Sequence, residues 1–357
     1  MNFLLSSEQN MLMDALRELL ADVSPARRVH EVINQDRGFD AALWARLVEY
    51  GVPGMVLPQR YGGLGLELID LACVAEILGE FAAPSPFLGH ALAGLAIFLG
   101  GSEAQRERWL PDLASGAKLA SVALGEADAH WLPEEWKLAC GEKLGGVKKL
   151  VPNAREADLL VVGIEGGGLA VAERSSTITS ARIEAVDRTR PLDHVTFADT
   201  PAEPLEAAPT AAPRLIDAAA ILLAADAFGG ASRCVSMSSD YSKIREQFGV
   251  PIGSFQALKH QLANMALEVE PGRGLYWYAA YAFDKLPERA AHAAAQAKAH
   301  ICDAFVQAAR DTVEAHGGIG FTWEHDAHIY LKRAMFDFAW LGQPSRHRMR
   351  AADLAGW

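Results

Sequence analysis

The segment Arg245-Glu246-Gln247-Phe248-Gly249-Val250-Pro251-Ile252-Gly253-Ser254-Phe255-Gln256 places a guanidinium, two carboxamides and two glycines in one short stretch. A planar cationic fork suits a phosphate, the carboxamides of Gln247 and Gln256 can read a base or ribose edge, and glycines let backbone approach a ligand. A plain interhelical loop with a surface arginine fits the same residues.

A second segment, Glu314 to His328, holds Gly317, Gly318 and Gly320 among the histidines His316, His325 and His328. The glycines follow a helical pattern and read GGxG, whereas a Rossmann turn needs GxGxxG after a strand, so that site is excluded. They read instead as a helix C-cap followed by close approach to a cofactor or partner. His325 and His328 flank Asp326 without a third strong ligand, which makes them solvated or capping histidines rather than a metal site. Gly62-Gly63-Leu64-Gly65 reads as a flexible turn before a helix, and Tyr276-Trp277-Tyr278 with Tyr281 as helix core or subunit interface. No GxSxG nucleophile elbow occurs.

The elements that must position these segments follow from hydrophobic period. Ser6 and Gln9 form a capping-box pattern, and Leu12, Ala15, Leu16, Leu19, Leu20 and Val23 fall on one helical stripe. A loop at 56–65, a helix over 68–81 and a helical pair over 88–114 complete the first third. From 119 to 205 short apolar runs such as Leu159-Leu160-Val161-Val162 alternate with turns such as Gly166-Gly167-Gly168, the pattern of strands. Beyond Pro213 long alanine-rich helices return, over 215–244, 256–270, 275–283 and 289–314, with one more near the end. Pro271-Gly272 predicts a kink or break. The order is α, β, α, with expected boundaries 1–114, 115–210 and 211–357.

The 357 residues are 50% hydrophobic, 22% charged and 8% aromatic, an ordinary globular composition. A net charge of −12 excludes nucleic acid or an anionic membrane as the main partner, since both need a cationic surface. Cys73, Cys140, Cys234 and Cys302 lie far apart without a CxxC pair, so neither zinc nor a disulfide framework is indicated and a reduced cytoplasm is the expected home. The start, Met1 to Glu8, lacks a signal-peptide pattern, and the most apolar stretch, Leu215 to Gly230, carries Asp217 and Asp226 and reads as a buried helix.

Arg245-x-Gln247-Phe248-Gly249-x-Pro251-Ile252-Gly253-x-Phe255-Gln256, followed by His316-Gly317-Gly318-Ile319-Gly320-Phe321-Thr322-Trp323-Glu324, resembles the signatures of the acyl-CoA dehydrogenase family. Val56 to Gly65, the stretch from Gly141 through Lys143 and Lys149 to Asp158, and Asp187-Arg188-Thr189-Arg190 agree with it, so the match spans nearly the whole chain. The resemblance implies an α+β fold: an N-terminal helical domain, a central β-barrel-like domain and a C-terminal four-helix bundle. It further implies FAD as cofactor, held between the β domain and the bundle. Arg245, Gln247, Phe248 and Gln256 then reach the adenosine-diphosphate end of a neighbouring subunit's FAD, and Gly317 and Gly318 approach the same group.

The family removes an α-proton from an acyl-CoA with a glutamate while a β-hydride passes to the flavin. By the same resemblance that glutamate falls on Leu341 in most members, or on Ala219 in the branch like isovaleryl-CoA dehydrogenase, so both expected bases are missing here. Leu124-Gly125-Glu126-Ala127 and Leu150-Val151-Pro152-Asn153 replace two segments that touch the flavin ring. This pattern resembles the smaller subunits of bacterial heterotetrameric acyl-CoA dehydrogenases, including those of steroid side-chain degradation. It implies an acyl-CoA substrate, a larger base-bearing partner and an electron-transferring flavoprotein as acceptor. Alternative readings are a homo-oligomer using a displaced base such as Glu126, Asp226 or Glu324, a non-catalytic scaffold, or a flavin monooxygenase on the same fold.

Overall fold

The computed structural model describes residues 4–35, 39–141 and 143–357; Met1–Phe3, where the N-terminal reading begins, lie outside the described residues. Six helices open the chain: α1 (Ser7–Val23), α2 (Ala26–Ile33), α3 (Ala41–Glu49), α4 (Leu68–Glu80), α5 (Phe87–Gly100) and α6 (Glu103–Ala114). Seven strands follow: β1 (Ala120–Ala123), β2 (Lys143–Pro152), β3 (Leu159–Ile164), β4 (Gly168–Glu173), β5 (Ile178–Arg182), β6 (Leu192–Pro201) and β7 (Glu203–Pro204). The remainder is α7 (Ala208–Ile244), a ribbon of β8 (Glu246–Gln247) and β9 (Val250–Pro251), then α8 (Gln256–Val269), α9 (Pro271–Lys285), α10 (Pro287–His316), α11 (Ala327–Ala339) and α12 (Pro344–Leu354). The α, β, α order is therefore present, and contacts gather it into two compact units, residues 31–71 with 84–219, and residues 1–30, 72–83 and 220–357.

The first of these units carries the sheets. One has the order β1-β3-β4-β7, the other β2-β6-β5. β1 runs parallel to β3, which turns through Gly166 and Gly167 into antiparallel β4, pairing Leu159 with Glu173 and Ile164 with Gly168. Leu144, Val151, Leu160, Val162, Ala172, Val195 and Phe197 form the common core. α5, apolar on every face, is buried almost throughout, as an all-round hydrophobic helix must be. Its one imidazole, His90, is tied to both neighbours: Nδ1 accepts the Ala120 amide at 3.3 Å and Nε2 donates to the Leu113 carbonyl at 3.1 Å. The Gly62–Gly65 turn is not the flexible segment expected. Four amides, from Gly63, Leu64, Gly65 and Leu66, bond to carbonyls of Pro58, Gly54, Leu57 and Met55, which ties the turn to the loop before it.

The second unit is helical. Ser6 caps α1 with the reciprocal Ser6–Gln9 bonds the sequence predicts. The break at Pro271 is complete, with Pro271 at the first position of α9, where its missing N–H costs nothing. Further on, the chain ends in two helices rather than one, since Leu341 and Gly342 both adopt positive φ, 69° and 96°, and break the run. At the start of α7 the helix begins earlier than Pro213 predicts, and Pro213 lies inside it. That helix is long and apolar enough to cross a membrane, but 94% of its most apolar window is buried within the protein. Its Asp226 makes a two-pronged ion pair with Arg333 of α11, at 2.9 and 3.0 Å, both side chains about 1% exposed.

Burial pushes His90 down to about 4, from an ordinary value of 6.5, so it is neutral in the fold and charges on unfolding below 6.5. The stability this neutral form holds is complete above pH 6.5 and is lost as pH falls toward 4. Urea unfolding at pH 7 and pH 5 will show a loss of about 2 kcal/mol from this group, and His90→Gln will flatten that part of the slope.

Candidate functional site

Two of the longest helices in the chain, α7 and α10, end side by side. Buried Ser238 donates to the hydroxyl of buried Thr312 at 3.0 Å, and one turn further on the Tyr241 ring stacks on His316 at 4.3 Å and 26°. Gln261 of α8 bonds Glu314 at 3.3 Å on the other flank. The two segments singled out in the sequence therefore emerge at one end of the bundle.

From α7 the chain leaves at Arg245, whose amide still donates to Tyr241 and whose carbonyl accepts from Ile252 at 2.8 Å. Gln247 pairs with Val250 across a two-residue turn formed by Phe248 and Gly249, both at positive φ, 54° and 77°, the geometry that matches strand twist in a hairpin. Phe248 at the tip is 92% exposed and meets only the edge of Phe255 at 6.1 Å. The Gln247 amide donates to the Glu246 carbonyl at 2.7 Å, and Gln256 opens α8, exposed. Arg245 is exposed, and among the described residues its guanidinium pairs with no carboxylate.

α10 ends at His316, with Gly317 as C-cap at φ 63° and ψ −142°, a conformation that only glycine adopts without strain. A Cβ on Gly317 or Gly318 would meet nothing within 4 Å, so the backbone here is open to a ligand. Gly320 folds back until a Cβ would stand 2.6 Å from the Val313 carbonyl oxygen. Ile319, Phe321 and Trp323 are exposed beside it, and His325 accepts the Ala327 amide at 3.1 Å, a capping role. An unpaired guanidinium, exposed amides and an open glycine turn are the donor set that a pyrophosphate takes.

The expected base positions are apolar and closed: Ala219 is fully buried and Leu341 about 1% exposed. Each displaced-base alternative meets a specific obstacle. Asp226 is committed to Arg333. Glu126 accepts the buried Lys148 ammonium at 2.5 Å and the amides of Lys137 and Leu138. Burial works to raise the Glu126 carboxyl, but Lys148 and the two amides outweigh it and hold it below the usual carboxylate range. Burial also brings Lys148 down to about 8 against the pull of Glu126. Glu324 is exposed, on a surface open to water. The sequence reading missed both the Glu126–Lys148 pair and the Tyr241–His316 stack. In each, one partner lay in a singled-out segment, and only the fold supplies the other.

Comparison with known proteins gives this geometry its setting. The chain matches the acyl-CoA dehydrogenase N-terminal domain over residues 6–117 and the acyl-CoA dehydrogenase C-terminal domain over residues 210–354. Acyl-CoA dehydrogenase IpdE2 of Mycobacterium tuberculosis (strain ATCC 25618 / H37Rv) is 34% identical over 354 residues, 98% of each chain. The chain belongs to the acyl-CoA dehydrogenase family. A solved variant of the Tcur3481-Tcur3483 steroid ACAD superposes with a TM-score of 0.90 at 31% identity over 98% of each chain. The ChsE4-ChsE5 complex from Mycobacterium tuberculosis shares the fold, with a TM-score of 0.88 at 24% identity over 100% of this chain and 99% of that one. The fold class is thus the family's, and the family's chemistry is FAD-dependent oxidation of the Cα–Cβ bond of an acyl-CoA.

Removing one partner of a buried pair leaves a buried charge uncompensated, which costs about 3–5 kcal/mol. Asp226→Asn and Glu126→Gln will therefore each lower the unfolding free energy of the chain, read from urea titration, by an amount in that range. A surface carboxylate such as Glu324 changed to Gln will leave it within about 0.5 kcal/mol.

Proposed function

We propose that this chain is the base-free subunit of an acyl-CoA dehydrogenase and completes the cofactor site of a larger partner that carries the glutamate. The observation that carries the reading is the contrast between an open, cationic phosphate end at Arg245, Gly317 and Gly318 and a pair of base positions occupied by Ala219 and Leu341. In this reading the Arg245 guanidinium holds the FAD pyrophosphate as a fork. Gln247 and Gln256 bind the adenosine edge, Phe248 packs against the neighbouring subunit, and the Gly317–Gly318 backbone supplies amides. FAD held there would supply the acceptor for the hydride from the acyl-CoA Cβ, and the partner's carboxylate would take the α-proton. No residue of this chain moves a proton in that step. Its part is to hold the cofactor and to cover it from water.

Several observations support the assignment. Glu126 and its segment are turned inward to Lys148, and Gly125 lies against the Trp131 ring, where a Cβ would stand at 2.9 Å, so this surface is filled by the chain's own side chains. Exposed Phe248, Phe321 and Trp323 at the same end of the bundle as Arg245 are apolar groups that a partner would cover. The similar Tcur3481-Tcur3483 enzyme is named for two gene products and acts on a steroid, and we assign this chain an acyl-CoA from steroid side-chain degradation. An electron-transferring flavoprotein as acceptor, a cytoplasmic setting and domains at 1–114, 115–210 and 211–357 belong to the same proposal.

Co-expression with a glutamate-bearing homologue decides it. The pair will copurify yellow and oxidise acyl-CoA, whereas this chain alone will show neither stoichiometric FAD nor turnover; full activity in the lone chain would sink the proposal. Arg245→Ala in the pair will weaken FAD binding about 10- to 100-fold, the range for losing a charge-assisted bond to phosphate, as read by flavin fluorescence.

A further inference from the structure

We infer that His316 is a positioning residue, clamped between Tyr241 and His325 so that the glycine turn and the Arg245 hairpin keep one fixed spacing. The inference rests on the reading that these two segments meet one FAD. Three contacts converge on this ring, which is only 5% exposed. Tyr241 stacks on it at 4.3 Å and 26°, and the His325 ring packs against it at 4.3 Å, tilted by 46°. Nδ1 donates to the Thr312 carbonyl one turn back, at 2.7 Å, which ties the ring to its own helix. Thr312 is itself fixed, since it accepts from Ser238 and lies 2.8 Å from the Ala308 carbonyl.

The topology explains why the clamp matters. Tyr241 lies one helical turn before Arg245 and bonds its amide, so the ring reports the position of the hairpin root. His316 is the residue before Gly317, so its ring fixes where the turn begins. No strand or helix continues from one segment into the other at this end. A pyrophosphate held by Arg245 on one side and by Gly317 and Gly318 amides on the other demands a spacing good to a fraction of an ångström. Side-chain stacking supplies it. Burial, reinforced by the neighbouring His325, holds His316 below the ordinary histidine range against the pull of the Thr312 carbonyl.

The test uses the copurified two-subunit complex, stripped of FAD and titrated back with flavin fluorescence as the readout. His316→Ala will loosen FAD about tenfold, Tyr241→Ala similarly, and His316→Phe, which keeps the stacked ring, will stay within about threefold of the parent. Amide hydrogen exchange without FAD will show faster exchange at Gly318 to Gly320 in His316→Ala and Tyr241→Ala only. Parent-like FAD affinity and exchange in both alanine variants, with binding lost in Arg245→Ala, overturns the clamp and leaves the FAD site standing. Parent-like binding in Arg245→Ala overturns the FAD reading, while the exchange data still decide the clamp. If His316→Ala fails to fold, the Tyr241→Ala and His316→Phe pair carries the same decision.

Discussion

Everything that this chain offers a ligand depends on two long helices stopping at the same level. The Ser238–Thr312 bond fixes that level inside the bundle, and the Tyr241–His316 stack repeats it one turn nearer the end. Slippage by a single residue along either axis would shift one segment by about 1.5 Å against the other, enough to spoil a shared phosphate. The bond between two buried hydroxyls is costly to break, because it is where the Ser238 hydroxyl places its proton in the protein interior.

The same economy governs the buried carboxylates. A carboxylate can serve as a base only where it is accessible and its charge is negotiable. Asp226 and Glu126 satisfy neither condition, for each is held by a buried cation and further polar groups. Their ion pairs secure α7 against α11 and the 126–138 loop against β2. Charges so placed are structural in effect: each is worth little as a pair, yet neither half can be removed alone. The apolar Leu341 and Ala219 complete the picture of an interior organised for packing rather than for proton transfer.

Much of the fold was legible because local rules and tertiary demands agree. The Ser6–Gln9 box, the Pro271 break and the Gly317 cap each follow from one or two residues acting on their own backbone. Where the reading fell short, the cause was remote. Nothing in a leucine announces a left-handed backbone, so the division of the last helix at Leu341 could not be read. Pro213 sits inside α7 because the residues after it supply burial enough to carry the helix backward across one missing bond. The turn at Gly62–Gly65 looked loose from composition alone, since the carbonyls that close it belong to the preceding loop. As for the candidate site, its two segments were legible from residue types and from resemblance, but Tyr241 became visible only when the bundle brought it onto His316.

The bare ring of Phe248 at the hairpin tip carries a last consequence, one of mass action. A folded chain with such a group in water gains free energy whenever a second surface covers it, so its observed melting point belongs to the mixture and not to the chain. Dilution, not only heat or denaturant, becomes a way of weakening a fold that covers such a group with a second surface.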